Sequence, residues 1–201
     1  MSDLERTLFF GLFFGMLAVR FYFAGKQWRR GETSWQRRAQ SADREGRWGA
    51  PFRALMFASL MLVIAGMAFD PHWLGWMYIM LPDGLRWAGA VTAAVFLILL
   101  VWVHHFLGRE WSIDVTVLWE HKLVTSGPYR WVRHPMYTAL NGLFIGLVLL
   151  SANWLLGLYT LLTLAFMVRR VPLEEGMLVE QFGDEYRRYM ARTGRWLPRW
   201  R

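Results

Sequence analysis

Five apolar segments alternate with polar stretches along the chain of 201 residues. They predict membrane helices at residues 7–25, 52–69, 87–106, 136–152 and 154–168. A helix that crosses a bilayer needs about 20 apolar residues, and the first three segments reach or approach that length. The last two are shorter and are separated only by Asn153, so they predict a tight helical hairpin.

Most of the basic residues lie in alternate loops. Lys and Arg occur in the loops at 26–53 and 107–135 and again beyond residue 169, whereas the stretches 70–84 and 151–153 contain none. Loops rich in Lys and Arg remain in the cytoplasm. The pattern therefore predicts an all-α integral membrane protein with about five transmembrane helices, an outside N-terminus and a cytoplasmic C-terminus. It predicts one membrane domain, 1–201, with three spans in 1–106.

Composition fits this interpretation and narrows the chemistry. Hydrophobic residues make up 55% of the chain, and 13 tryptophans suit an aromatic belt at the membrane surface. The absence of cysteine excludes disulfides, thiol nucleophiles and Cys-ligated metals, and we predict no metal site. Because the charge of +8 lies in the loops, membrane lipids are the expected partner, and nucleic acid is not.

The densest polar cluster stands at the start of the fourth apolar segment. Residues 127–137 read Gly-Pro-Tyr-Arg-Trp-Val-Arg-His-Pro-Met-Tyr. Thr-Ser-Gly-Pro at 125–128, which overlaps the start of this run, is turn chemistry, so we expect the chain to fold back here. Such a concentration of polar groups at a membrane boundary indicates a ligand site. The alternative is a juxtamembrane loop with aromatic and basic anchors.

A second polar run contains Glu174 and Glu175. Proline suits the first turn of a helix, so Pro172 predicts the start of a new amphipathic helix that ends near residue 191. Acidic residues in a first helical turn can serve the helix dipole alone, which is the alternative to a binding role. His104 and His105 close the third span, where we interpret them as interfacial residues.

These motifs together resemble the isoprenylcysteine carboxyl methyltransferase family, which is grouped with the phospholipid methyltransferases. The resemblance covers about residues 107–201. It is carried by Leu-Val-Thr-Ser-Gly-Pro-Tyr-Arg-Trp-Val-Arg-His-Pro-Met-Tyr, then Glu174-Glu175, Phe-Gly-Asp-Glu-Tyr-Arg-Arg-Tyr at 182–189 and Leu197-Pro198. It implies a helical membrane enzyme that uses S-adenosyl-L-methionine and lacks a Rossmann sheet.

The resemblance also assigns roles to individual residues. Those implied for cofactor binding are His121, Lys122, Leu123, Val124, Tyr129, His134, Pro135, Met136, Tyr137 and Glu174. Arg170 matches an arginine assigned to the methyl-accepting substrate, and Glu175 is a supporting carboxylate; we group these two as catalytic. Asp114 stands where some relatives carry an amide that contacts the cofactor.

The residues do not decide which chemical group accepts the methyl group. A carboxylate is ionised at neutral pH and needs only orientation, which Arg170 could supply. A phospholipid amine must first lose a proton, and His134 or Glu175 is then the candidate base. A small thiol is a third acceptor, and a non-catalytic membrane binding or assembly protein is an alternative of another class. We expect a lipophilic or lipid acceptor and an active site facing the cytoplasm, at the inner membrane if the source is bacterial.

Overall fold

The protein is a bundle of long helices. A computed structural model describes residues 1–29, 49–69, 72–107 and 123–199. In chain order the helices are α1 (Asp3–Trp28), α2 (Gly49–Phe69), α3 (Asp83–Leu107), α4 (Pro135–Ser151), α5 (Trp154–Phe182) and α6 (Asp184–Arg192). Short 3₁₀ turns form at His72–Met77 and Gly127–Arg130. The predicted all-helical membrane fold is therefore confirmed.

Four of these helices are long and apolar enough to cross a bilayer, namely α1, α2, α3 and α5. The fourth predicted span corresponds to α4, which is apolar but has only 17 residues. Large apolar side chains project from the bundle, as expected of surfaces that face lipid. Among them are Phe14, Phe21, Leu55, Leu62, Ile98 and Leu161, each more than half exposed. The count of five spans and their orientation remain predictions.

The centre of the bundle is the contact between α3 and α4. A Cβ atom added to Gly146 would lie 2.4 Å from the backbone nitrogen of Ala93, so the two backbones nearly touch. Around this contact, the core takes buried residues from the first five helices. These are Phe9, Phe13, Met16, Leu60, Ile64, Met67, Ala90, Ala93, Leu100, Ala139, Leu143, Phe144, Leu147, Leu150 and Leu156.

Polar contacts fix the end of the bundle at which α1 and α3 begin. The Arg86 guanidinium pairs with the Glu5 carboxylate at 2.8 Å and also donates to the Leu150 carbonyl. The predicted hairpin turn follows Leu150 at once: Ala152 has φ 54°, and the Asn153 side chain caps α5 by accepting from the Leu156 amide. The C-terminus of α3 and the N-terminus of α4 consequently meet at the other end.

The expected helix boundary at Pro172 is wrong, because α5 continues through this residue to Phe182. Proline removes the hydrogen bond to the carbonyl of residue 168, yet membrane helices tolerate this loss. An ion pair between Arg170 and Glu174 at 2.8 Å spans the proline and supports the helix there. The break comes instead at Gly183, with φ 53°, and the amphipathic helix α6 follows it.

Candidate active site

The loop between α3 and α4 delivers the His-Pro-x-Tyr run to the end of the bundle. The described part of the loop, from residue 123, contains the 3₁₀ turn Gly127–Arg130, in which Gly127 has φ 57° and lies against the Phe106 ring. His134 then caps α4, and Pro135 occupies its first turn, where the missing amide costs nothing. The predicted fold-back of the chain is confirmed, and it fixes the direction in which His134 and Tyr137 leave the helix.

His134, Tyr137 and Glu174 form one cluster, although Glu174 is 37 residues from Tyr137 in the chain. The rings of His134 and Tyr137 stack at 5.8 Å between centroids. The Tyr137 hydroxyl donates to Glu174 Oε1 at 2.5 Å, and His134 Nδ1 lies 3.6 Å from Glu174 Oε2. The Arg170 Nε also donates to Glu174 Oε1, at 2.8 Å. The cluster thus combines a carboxylate, two aromatic rings and a guanidinium.

Glu175 lies on the other side of His134 and is enclosed by donors. Its Oε1 accepts from Arg133 Nε at 3.0 Å and from Arg195 Nε at 3.3 Å, and it lies 3.3 Å from His134 Nε2. Its Oε2 accepts from Arg195 Nη2 at 2.5 Å. A carboxylate held by two guanidinium groups stays ionised and has little basicity. Glu175 therefore acts as an anchor for its neighbours.

Helix α6 covers the loop from outside. The Tyr189 hydroxyl donates to the Tyr129 carbonyl at 2.7 Å, and Tyr186 packs beside Tyr189 with 5.8 Å between their centroids. Burial raises the pKa of all three tyrosine hydroxyls well above the usual value, so they remain protonated and can donate. Tyr186 and Tyr189 thus lie on the face that α6 buries.

Two buried donors at this end have no hydrogen-bond partner within the described ranges. They are the hydroxyl of Tyr186 and the indole Nε1 of Trp196. The Trp196 carbonyl accepts from Thr138, one residue after Tyr137, so the indole belongs to the surroundings of the cluster. Buried donors normally find an acceptor, and a polar ligand would provide one.

The remaining predicted residues are placed as follows. Pro135 and Tyr129 are buried, whereas Met136, Leu123 and Val124 are half-buried. His121, Lys122 and Asp114 lie outside the described residues. His104 differs from the interfacial expectation: it is 1% exposed, its Nδ1 donates to the Leu100 carbonyl at 2.9 Å, and its ring packs on Phe23.

Sequence reasoning missed the contributions of Arg133 and Arg195. The motif assigns Arg133 no role, yet its Nη1 donates to the carbonyls of Met190 and Thr193. Arg195 lies in a segment to which no role was assigned. Their carboxylate partner, Glu175, lies 42 and 20 residues away in the chain, so sequence spacing gives no signal of either contact.

Comparison with known families bears on this arrangement. Residues 88–180 match the model of the isoprenylcysteine carboxyl methyltransferase family. The protein-S-isoprenylcysteine O-methyltransferase of Tribolium castaneum is 33% identical over 131 residues, covering 63% of this chain and 42% of that protein. The human protein of the same name is 39% identical over 79 residues, covering 39% of this chain and 28% of that protein. The resemblance found in the sequence is therefore confirmed.

A more distant relative aligns over a larger share of both chains. Protein-S-isoprenylcysteine O-methyltransferase B of Arabidopsis thaliana is 28% identical over 154 residues, which is 71% of each chain. By contrast, this chain spans less than half of the beetle protein and about half of the similar rice protein. These relatives are named as O-methyltransferases, and they lend no support to an amine methyltransferase or to a non-catalytic scaffold.

A solved structure shares the fold. It is described as the eukaryotic intramembrane Ras methyltransferase ICMT, and it superposes with a TM-score of 0.59 at 21% identity. The match covers 98% of this chain and 69% of that chain. At this level of identity the likeness concerns the fold alone, and it extends over the first two spans, where no motif was recognised.

Proposed function

We propose that this chain belongs to the isoprenylcysteine carboxyl methyltransferase family, whose model matches residues 88–180, and that it is an S-adenosylmethionine-dependent methyltransferase of the membrane. The acceptor is the carboxylate of a lipophilic, isoprenylcysteine-like molecule. The observation that carries the proposal is the convergence of His134, Tyr137 and Glu174 in one cluster at one end of the bundle. These are the residues that the resemblance assigns to the cofactor.

The chemistry of the cluster fits this cofactor. A carboxylate beside stacked aromatic rings suits a ligand that carries an ammonium and a sulfonium. The Glu174 side chain is 19% exposed, against 7% for Glu175, so Glu174 is the carboxylate that a ligand can reach. The unpartnered donors of Tyr186 and Trp196 suit the acceptor atoms of a ribose or an amino acid carboxylate. Leu123, Val124, Tyr129, Pro135 and Met136, with His121 and Lys122, would complete the pocket.

When bound, the cofactor supplies an electrophilic methyl group. The protein then contributes proximity, orientation and removal of water. Arg170 would orient the acceptor carboxylate, and its contact with Glu174 links the acceptor side of the site to the cofactor side. Glu175 would support the site by holding His134 in place.

The environment of Glu175 favours a carboxylate acceptor over an amine. An amine must lose a proton before it attacks, and the base must have a lone pair to offer. The Glu175 oxygens already accept from Arg133 and Arg195 and contact His134. A carboxylate needs no base, so this arrangement does not hinder its methylation.

We place the site on the cytoplasmic side of the membrane. The support is the distribution of Lys and Arg, which are concentrated in the loop at 26–53, in the loop at 107–135 that carries His134, and in the C-terminal segment that carries Arg195. On this side, a water-soluble cofactor can enter from the cytoplasm and a lipophilic acceptor from the bilayer.

Methyl transfer from labelled S-adenosylmethionine tests the proposal. The purified protein in lipid nanodiscs is given N-acetyl-S-farnesylcysteine, the corresponding carboxamide or phosphatidylethanolamine. We expect turnover with the acid alone, as a base-labile ester. Turnover with phosphatidylethanolamine would replace the proposal by amine methylation. Absence of turnover with all three, in protein shown to be folded, would contradict the acceptor class.

A further inference from the structure

The segment that follows α6 lies outside residues 88–180, the region that matches the family model. We propose that residues 193–196, here called the C-terminal strap, are part of the binding site, and that Arg195 is a positioning residue that acts through Glu175. The inference rests on the proposed function, because it assigns these residues to the same site. It adds residues beyond 180, where the family model ends.

Backbone hydrogen bonds pair the strap with the segment 127–134 before α4, here called the motif loop. The amides of Arg133 and His134 donate to the carbonyls of Gly194 and Arg195 at 2.9 and 3.0 Å, and the Gly194 amide donates to the Trp131 carbonyl at 3.0 Å. The Thr138 hydroxyl then donates to the Trp196 carbonyl at 2.6 Å. The strap is therefore paired with the loop on both sides of His134, which fixes the backbone from which this ring projects.

The path of the strap depends on Gly194. A Cβ atom added there would lie 1.7 Å from the Leu197 carbonyl oxygen, which is backbone and cannot move aside as a flexible side chain could. Any other residue must open the turn between positions 194 and 197. Because Arg195 and Trp196 lie within that turn, a change at Gly194 displaces the strap from the loop.

Arg195 adds a charge contact to this pairing. Its side chain is 50% exposed, yet it reaches the Glu175 carboxylate, which is 7% exposed, through both Nε and Nη2. Such two-point contact fixes the plane of a carboxylate as well as its charge. Glu175 Oε1 in turn contacts His134 Nε2 at 3.3 Å. The chain of contacts therefore runs from the strap through Glu175 to the His134 ring.

The structural part of the inference can be tested without any ligand. Gly194→Ala is compared with Gly176→Ala, because both add one methyl group and a Cβ at Gly176 would meet nothing within 4 Å. We expect hydrogen–deuterium exchange at the amides of Arg133 and His134 to become at least about tenfold faster in Gly194→Ala and to stay unchanged in Gly176→Ala. Equal protection in both variants would show that the strap does not hold the loop.

The functional part is tested by the affinity for S-adenosylhomocysteine. Arg195→Gln should weaken binding about tenfold, because a charge-assisted contact is lost, and Arg195→Lys should recover part of the loss. Arg192→Gln is the matched control, since Arg192 is an exposed arginine in the last turn of α6. Its affinity should equal that of the unaltered protein.

A double-mutant cycle separates action through Glu175 from a general loss of structure. If Arg195 acts through Glu175, then Glu175→Gln combined with Arg195→Gln should bind no more weakly than Glu175→Gln alone. Additive losses would overturn the positioning role. Should the unaltered protein fail to bind S-adenosylhomocysteine, the proposed function and the role of Arg195 in binding fail together, while the exchange experiment still decides whether the strap holds the loop.

Discussion

Two adjacent carboxylates in this site have different environments. Glu174 is partly exposed and contacts Tyr137 and Arg170, whereas Glu175 is buried between Arg133 and Arg195. Consecutive positions on a helix point about 100° apart, which separates the two side chains. Glu174 consequently suits contact with a ligand, and Glu175 suits the fixation of the protein around it.

This difference gives a prediction at the residue scale. Glu174→Gln should weaken S-adenosylhomocysteine binding by about tenfold while the melting temperature stays close to that of the unaltered protein, because a charge-assisted contact is lost at a partly exposed position. Calorimetric titration measures the affinity. Asp184→Asn makes the same chemical change at an exposed carboxylate paired with Arg187, and it should leave binding unaltered. Unchanged affinity in Glu174→Gln would remove this residue from the pocket.

Some site residues are predicted by the sequence and others are not. The two groups differ in whether they belong to a recognisable motif. His134, Tyr137 and Glu174 belong to recognisable motifs, and the structure brings them together. Arg133 and Arg195 hold the site through distant backbone carbonyls and through a carboxylate 20 or more residues away. Every residue offers a carbonyl, so such contacts leave no mark in the sequence.

At the scale of elements, the decisive feature is where the last long helix ends. The helix contains Pro172 and is followed by Gly183, and the structure breaks only at Gly183. A proline costs one hydrogen bond, which the Arg170–Glu174 pair offsets in part. The left-handed φ of Gly183 instead redirects the chain, so that α6 turns back over the motif loop. Local preference could not rank these two residues, because the ranking depends on contacts across the turn.

The docking of α6 gives a prediction at this scale. Tyr189→Phe removes the hydrogen bond to the Tyr129 carbonyl and should lower stability by about 1 kcal/mol at pH 8. The folded-state pKa of Tyr189 is raised by burial, so this stabilisation is complete below the unfolded pKa of about 10 and declines as the pH rises above it. The difference in melting temperature between the two proteins should therefore shrink above pH 10.

Thermal melts of the two proteins at pH 8 and pH 10.5 check this expectation. Tyr22→Phe provides the control, because Tyr22 is 66% exposed on α1. It should melt like the unaltered protein at both values. A difference between Tyr189→Phe and the unaltered protein that grows with pH would contradict the assigned direction of the shift.

At the scale of the whole molecule, the pattern of apolar segments predicted the helices well and their exact lengths less well. The predicted segment 154–168 is the apolar part of α5, which extends to Phe182 because helix formation does not stop where hydrophobicity does. The orientation in the membrane is predicted from loop charge, and five of the eight basic residues of the loop at 26–53 lie outside the described residues. Cysteine labelling tests this orientation.

The absence of cysteine makes that experiment direct, since single cysteines can be introduced into the natural sequence. Gly75 lies in the turn at the end of the bundle remote from the site, and Arg192 lies at the site end. In intact cells, a membrane-impermeant maleimide should label Gly75→Cys and spare Arg192→Cys. Lysis should expose both. Labelling of Arg192→Cys alone in intact cells would invert the proposed orientation.

The measurement that tests the central claim most directly is calorimetric titration of the detergent-purified protein with S-adenosylhomocysteine, beside His134→Ala. The cluster of His134, Tyr137 and Glu174 predicts saturable binding at one site per chain and its loss in the variant. Circular dichroism and melting of both proteins establish that they are folded. Absence of binding to the folded, unaltered protein, or equal binding to both, would contradict the assignment of this cluster as a methyltransferase cofactor site.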